Sequence, residues 1–359
     1  MEFGIFIPSA RNGYIVSKSA PQYSPTYSHM REIMQTGERN GFSFGLSLST
    51  WRGHGGPTRF WDDSLESVTQ MAALARDTTT IRLIGSVHTL LVHPAHAAKM
   101  ALTLDSISDG RFSLNIVPGG WHPYELEVLR IWPGDDYHHY RWEYAGEYCQ
   151  VIRDLWEKGV TNFEGKYFQY NDLRLGPTQS HHMNLVCAGT SDDAIRFTTK
   201  YADYAFRLAW GGPDALRGIV DKFNAQMDEA GRTIKPYVAL GVVVDDTDEK
   251  AEAKLQNYIE NADMEAINYM LGGAAMDTGE GSTGALLASL DTKGAVQMST
   301  DFITGSPESI ARQLDEWAEI DVAGYMLVLT DYVEDIKRLG REVFPRMKNF
   351  TAPTVLAPV

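Results

Sequence analysis

Eight short apolar runs, each followed by a longer stretch of helical periodicity, constrain this chain more than any other feature. They are FGIFIP (3–8), FGLSLS (44–49), IRLIGSVHT (81–89), FSLNIV (112–117), NLVCAG (184–189), YAFRLA (204–209), YVALGVVV (237–244) and GYMLVLT (324–330). Apolar strands alternating with helices read as parallel βαβ units covered on both faces. A count of eight favours an α/β fold closed into a (β/α)8 TIM barrel over an open doubly wound sheet. One domain over 1–359 is the simplest reading. Two insertions exceed ordinary loops, at 160–183 and at the glycine-rich 272–304, and the second is expected to be a mobile loop near the site. Helix starts are legible too. Asp63 and Glu66 have capping-box spacing ahead of a stripe of Leu65, Val68, Met71, Ala72 and Ala75. Ser306 and Pro307 suit the cap and first position of a late helix.

Bulk properties exclude several partners. The net charge of −15, with no basic stripe, argues against nucleic acid. No run of about 18 apolar residues occurs, so a spanning helix is not expected. Two cysteines, Cys149 and Cys187, give no disulfide framework, which makes a reducing, cytoplasmic setting the default. The opening MEFGIFIP is too short and lacks the basic leader of a signal peptide.

The chemistry points to the strand ends. In a βα barrel the functional groups lie at the C-terminal face. The run SLNIVPGGW (113–121) carries an asparagine inside an otherwise apolar strand, then glycines that let backbone approach a ligand. Ser113, Asn115 and Val117 share the face expected to point into the barrel, while Leu114 and Ile116 face helices. On the preceding strand Ser86 and His88 share a face, so polar side chains of neighbouring strands converge. The alternative is a set of hydrogen-bonded core residues without chemistry.

Other patterns carry less. GEGSTG (279–284) fits the dinucleotide fingerprint but follows a helix and turn instead of a strand, so no NAD(P)H site is read from it. His88, His93 and His96 lack a carboxylate at useful spacing, and no metal site is expected. Cys187 sits on a strand and reads as core, not nucleophile.

Six stretches together resemble one family: APQYSPTY (20–27), RGHGG (52–56), FWDDSLES (60–67), TLDSISDGRFSLNIV (103–117), IWPGDDY (131–137) and CAGTSD (187–192). They are similar to the bacterial-luciferase-like flavin-dependent monooxygenases, and most to the pyrimidine monooxygenase branch. The resemblance runs from Phe3 to about Arg341 and is densest up to residue 192.

It implies a barrel that binds FMN at the strand ends, takes reduced FMN from a separate NAD(P)H-dependent reductase, and uses O₂ on a small heterocyclic or amide substrate such as a pyrimidine. It also implies a homo-oligomer. Carried over by position, Ser49, Thr50, Asn115, Glu125, Arg141, Trp142 and Ser191 fall on flavin-contacting places. Ser86 stands where the branch has a threonine beside the oxygen pocket, so Asn115 and Ser86 are the expected catalytic pair. Trp121, His88 and the 272–304 loop would wall the substrate. Three of these residues keep a second reading: Ser191 as the cap of its own helix, Arg141 as a solvated helix charge, and Glu125, which would accept a flavin N–H or hold the backbone, as a surface carboxylate in a loop. Asp192 and Asp193 would repel a phosphate at Ser191. This chain departs from the branch at Ser49 and Thr50, where the relatives have an apolar residue and a lysine. It also departs at Trp142, which replaces a tyrosine, and by one extra residue in the Pro118–Trp121 turn. The rival activities are alkanesulfonate or sulfone oxygenation, deazaflavin-dependent oxidoreduction, and flavin binding without catalysis. Lys293 is the only basic residue between Leu255 and Ala311, which weighs against a sulfonate.

Overall fold

The computed structural model describes the chain except residues 120–122, 190, 209, 275–286, 288 and 354–359. Eight parallel strands close on themselves in chain order. They are β1 (Glu2–Ile7), β2 (Phe44–Ser47), β3 (Arg82–His88), β4 (Phe112–Val117), β5 (Asn184–Ala188), β6 (Tyr204–Arg207), β7 (Pro236–Val244) and β8 (Gly324–Val328). The ring is completed where β6 pairs with β7, β7 with β8 and β8 with β1. All eight coincide with the apolar runs read from the sequence, and the arrangement is a (β/α)8 barrel.

Strand parity explains the two layers. On β1, Phe3, Ile5 and Ile7 face outward and pack with Met30, Ile33 and Met34 of the helix Tyr27–Arg39. Phe44 and Leu46 of β2, Ile84, Val186, Phe206, Tyr237, Ala239 and Met326 instead fill the barrel interior. The N-terminal end is plugged by an ion pair between Arg82 and Glu2. Tyr237 donates its hydroxyl to the same carboxylate at 2.9 Å. Among the described residues the C-terminal end has no such plug and opens into the cavity described below.

Two elements lie outside the simple alternation. The 160–183 insertion carries a two-stranded antiparallel pair, Val160–Thr161 with Leu173–Arg174. A ninth strand, Phe302–Gly305, pairs with Gly241–Val244 on β7, beyond the point where β6 stops at Val238. This strand holds the described end of the 272–304 insertion against the barrel. It depends on Gly241, whose register partner is Phe302: a Cβ on Gly241 would sit 2.2 Å from the Phe302 ring. Gly241→Ala is therefore expected to push that ring out and lower stability by about 1–3 kcal/mol. A shift in the urea midpoint measures the loss, and an unchanged midpoint would mean the ring relaxes freely.

The helix starts differ in one place. The helix Ser67–Asp77 is capped by Glu66, whose carboxylate accepts from the Val68 and Thr69 N–H groups at 3.0 and 2.6 Å. Asp63 forms an ion pair with Arg11 instead. The capping-box reading put the start too early because Glu66 satisfies the orphan donors by itself. Ser306 and Pro307 do start the helix Pro307–Trp317 as expected. No helix among the described residues is long and apolar enough to cross a membrane.

Candidate functional site

The register of β3 and β4 sets Ser86 directly beside Asn115. Both are buried at the C-terminal end of the barrel. The Asn115 Nδ2 donates to Ser86 Oγ at 2.9 Å, and the Ser86 hydroxyl donates to the backbone oxygen of Ser47 at 2.6 Å. Because the serine proton is committed to that carbonyl, Ser86 Oγ must accept from the amide. The chain of donors therefore fixes which way the asparagine points. Its Oδ1 is left buried without a partner. A buried acceptor left unmade costs about 1–3 kcal/mol, so the arrangement is poised for a donor from a ligand.

Asn115 lines a partly open cavity of about 240 Å³. Phe6, Leu46, Leu48, Trp61, Phe206 and Val328 make most of its walls apolar, which keeps water sparse. Tyr14 stacks on Phe6 with ring centroids 3.9 Å apart and also lines it.

One end of the cavity differs in character. Arg141, Trp142, Gly189 and Ser191 line it. Arg141 is buried on the helix Tyr137–Lys158, with Nη1 3.2 Å from His138 Nδ1 and its guanidinium carbon 5.8 Å from the Trp142 ring centroid. It is not a solvated helix charge. Ser191 caps the helix Asp192–Tyr201, its Oγ accepting from the Ala194 N–H at 3.3 Å and its own O–H remaining able to donate. The acidic pair behind it is neutralised. Asp192 binds Lys222 Nζ at 2.6 Å and Asp193 pairs with Arg196. The repulsion expected of those carboxylates toward an anion is thereby reduced. Gly189 matters here because a Cβ would lie 2.7 Å from Ala194 Cβ and 3.2 Å from the Trp142 ring.

The remaining expected residues divide into two groups. Ser49 lines this cavity together with a second, more polar one, where Ser86, Thr50, His88 and Asp62 also stand. His88 thus belongs to the neighbouring space and not to the wall around Asn115. Glu125 lines neither. Its buried carboxylate accepts from Thr50 Oγ1 at 2.6 Å, from the Trp51 N–H at 3.3 Å and from the Arg52 N–H at 3.4 Å. Burial raises its pKa, partly offset by those donors. Of the readings of Glu125, the geometry matches the one in which it holds backbone. Trp121 lies outside the described residues, as do 275–286 and 288 of the expected 272–304 loop. From the described ends of that insertion, Leu287, Met298 and Thr300 line the cavity.

Met298 and Thr300 fall in the 272–304 loop expected to wall the substrate, whereas Tyr14, Trp61 and Val328 were not singled out from the sequence. Their apolar or small side chains look the same whether they fill a core or wall a pocket. A strand-end position was the only available signal, and it existed only for Val328. His93 caps the helix Pro94–Ser108, with Nε2 2.8 Å from Tyr170 Oη. Burial pushes the Cys187 thiol up to about 11, in keeping with an inert core residue.

Burial also gives the site a pH dependence. His54 and His88 are both pushed from 6.5 down to about 4 by desolvation. A histidine whose folded value lies below its unfolded value binds fewer protons when folded. Its contribution is therefore complete above pH 6.5 and is lost as pH falls toward 4. At pH 5 each ring is expected to cost about 2 kcal/mol of stability relative to pH 7. Urea midpoints at the two pH values measure this, and His88→Asn should remove about half of the difference. A flat profile would mean that both rings are solvated.

The luciferase-like monooxygenase family model matches residues 1–324. Pyrimidine monooxygenase RutA of Caulobacter sp. (strain K31) is 40% identical over 350 residues, covering 97% of this chain and 98% of the relative. RutA of Pseudomonas savastanoi pv. phaseolicola (strain 1448A / Race 6) is 41% identical over 350 residues, 97% of this chain and 96% of the relative. Among solved structures, riboflavin lyase RcaE with modified FMN and riboflavin has a TM-score of 0.84 at 22% identity, covering 100% of this chain and 94% of that one. The long-chain alkane monooxygenase LadA has a TM-score of 0.78 at 18% identity, covering 100% and 93%. These two structures share the barrel fold.

Proposed function

We propose, from the premise that this chain belongs to the luciferase-like monooxygenase family, that it is the oxygenase component of a two-component, FMN-dependent system acting on a small pyrimidine-type substrate. The chain is a flavin-dependent monooxygenase, and the curated relatives cited above are named for pyrimidine oxygenation. The finer reading concerns FMN, its supply and the substrate.

The residues present fit a flavin. Apolar walls suit a tricyclic ring, and the Arg141–Ser191 end suits a phosphate. The single observation that carries the reading is the unpaired, buried Asn115 Oδ1, held by Ser86 so that it can only accept. A reduced isoalloxazine or a lactam ring offers the N–H that this oxygen lacks. Reduced FMN, when bound, would supply the two electrons that reduce O₂ for oxygenation of the substrate. The protein's part is positional. Asn115 accepts a proton donor at the ring edge, and Ser86 keeps the amide from rotating. Phe6, Leu46, Leu48 and Phe206 exclude water that would waste the activated oxygen. The guanidinium of Arg141 and the hydroxyl of Ser191 hold the phosphate end. Glu125 keeps the 50–52 loop, and with it Ser49, at the cavity edge.

Reduced FMN comes from a separate NAD(P)H-dependent reductase. In the sequence the one dinucleotide-like glycine pattern, at 279–284 and outside the described residues, follows a helical stretch instead of a strand run, which supports this supply route. The polar second cavity, with Ser49 and Thr50 in place of the relatives' apolar residue and lysine, supports a small polar substrate over a long alkyl one.

The test mixes the purified protein with FMN, a flavin reductase and NADH, then adds pyrimidines, simple amides and alkanesulfonates in turn. Oxygen uptake above the flavin background, with an oxygenated product from the pyrimidine arm, is expected. Product from the sulfonate arm alone, or flavin binding with no product from any arm, overturns the proposal.

A further inference from the structure

Arg207 is the most anomalous charged side chain among the described residues. It closes β6, is 1% exposed, and none of its three guanidinium nitrogens has a hydrogen-bond partner. Its guanidinium carbon rests over the Phe223 ring, 4.7 Å from the centroid. Burial brings its pKa down to about 10, so it remains charged at neutral pH. Four acids of the neighbouring elements are already engaged. Asp192 and Asp193 hold Lys222 and Arg196, Asp203 holds Arg153, and Asp301 accepts from the Gly211 and Gly212 N–H groups. The neighbouring Cys187 thiol is neutral. A cation–π contact offsets only part of the cost of burying an unpaired cation.

Its place in the sheet suggests what is missing. The β5–β6 register runs Val186 to Tyr204, Cys187 to Ala205 and Ala188 to Phe206, and the Gly189 N–H donates to the Phe206 carbonyl at 3.4 Å. By register Arg207 therefore stands one step further along, beside Gly189, which is two residues before the Ser191 cap; its side chain leaves β6 on the helix side, the face opposite to Phe206 and Leu208, which line the cavity. Neighbouring strands lie roughly 4.8 Å apart, and an arginine side chain is longer than that gap. A terminal phosphate carries close to two negative charges at neutral pH, and Arg141 supplies one positive charge at this end.

We infer that Arg207 is the second cation of the phosphate end of the cavity, turning from the Phe223 ring toward the anion when a phosphorylated flavin binds, and so makes the site select FMN over riboflavin. The inference rests on the reading above that the Arg141–Ser191 end holds a phosphate. Phe223 provides a resting surface for the guanidinium in the free protein. Phosphate binding returns the hydrogen bonds that the free state lacks, so part of the selectivity comes from relieving a strained charge.

Anaerobic ultrafiltration with dithionite-reduced FMN and riboflavin, quantified by fluorescence after reoxidation, tests this without any turnover. The wild type should bind FMN at least tenfold more tightly than riboflavin. Arg207→Met should lose roughly tenfold to hundredfold in FMN affinity with riboflavin affinity unchanged, and Arg207→Lys should keep part of the preference. The flavin-free Arg207→Met protein should melt at a higher temperature than wild type, because an apolar side chain replaces an unpaired charge. Equal loss of both flavins, unchanged FMN affinity, or a lower melting temperature of the flavin-free variant overturns the inference. A wild type that binds neither flavin overturns the flavin reading itself, which separates the two failures.

Discussion

Replacing Asn115 with alanine is expected to lower turnover by about 10²–10³-fold while leaving the melting temperature within a degree or two of wild type. The size follows from losing a preorganised polar group at the reacting centre. The small stability effect follows from the geometry. The amide makes one hydrogen bond, to Ser86 Oγ, and leaves its oxygen unpaired. Its removal therefore deletes an unsatisfied group along with a satisfied one, and Ser86 still donates to Ser47 O. Ser86 separates an orienting role from a merely structural one. Ser86→Thr keeps the hydroxyl and should retain most activity. Ser86→Ala frees the amide to rotate and should give an intermediate loss, with product yield per NADH falling more than NADH consumption. Product yield is the readout, and wild-type yield from Asn115→Ala would remove this residue from the chemistry.

Glu125→Ala is expected to have the second largest effect, through a loop and not through contact with the reacting groups. The carboxylate gathers Thr50 Oγ1 and the Trp51 and Arg52 N–H groups into one acceptor. Without it the Trp51 and Arg52 N–H groups lose their partner and Thr50 Oγ1 keeps only the Arg52 carbonyl at 3.3 Å, so the segment that carries Ser49 into the cavity edge is released. Misplacement by about an ångström can cost on the order of 10²-fold, so kcat/KM should fall by roughly 10–10²-fold. Trypsin should cleave after Arg52 much faster than in wild type, a readout that a direct catalytic role would not move. Glu125→Gln should fall between the two, because one amide end still accepts while the other faces the Trp51 donor. An unchanged cleavage rate at Arg52 would mean that the loop is held by other contacts.

The barrel was legible because its strands are buried on both faces, which writes them as apolar runs. All nine positions of Pro236–Val244 are buried, and the run read from the sequence begins one residue later. Phe302–Gly305 was not legible, since four residues ending in Thr-Gly carry neither length nor alternation and pair only with the overhang of β7. The polar half of the site was legible for the converse reason. An amide or hydroxyl in a buried strand is costly, so Asn115 and Ser86 stood out against their neighbours. The apolar half was invisible, because Trp61 or Tyr14 in a pocket wall obeys the same burial rule as in a core. The separation of Glu125 and His88 from the main cavity was also beyond reach. It depends on how the 50–52 loop folds back over the helix Pro123–Val128, which local pattern does not encode. Arg207 sits in YAFRLA as a cation where burial is demanded, which is the same kind of signal as Asn115.

The most direct measurement is a crystal structure of the protein with FMN bound. The isoalloxazine ring is expected over the ends of β3 and β4, with Asn115 Oδ1 at roughly 2.7–3.2 Å from a ring N–H and the phosphate between Arg141 and Ser191. A coenzyme seated elsewhere, or an Asn115 side chain turned away from it, would contradict the assignment of this cavity as the place where oxygen is activated.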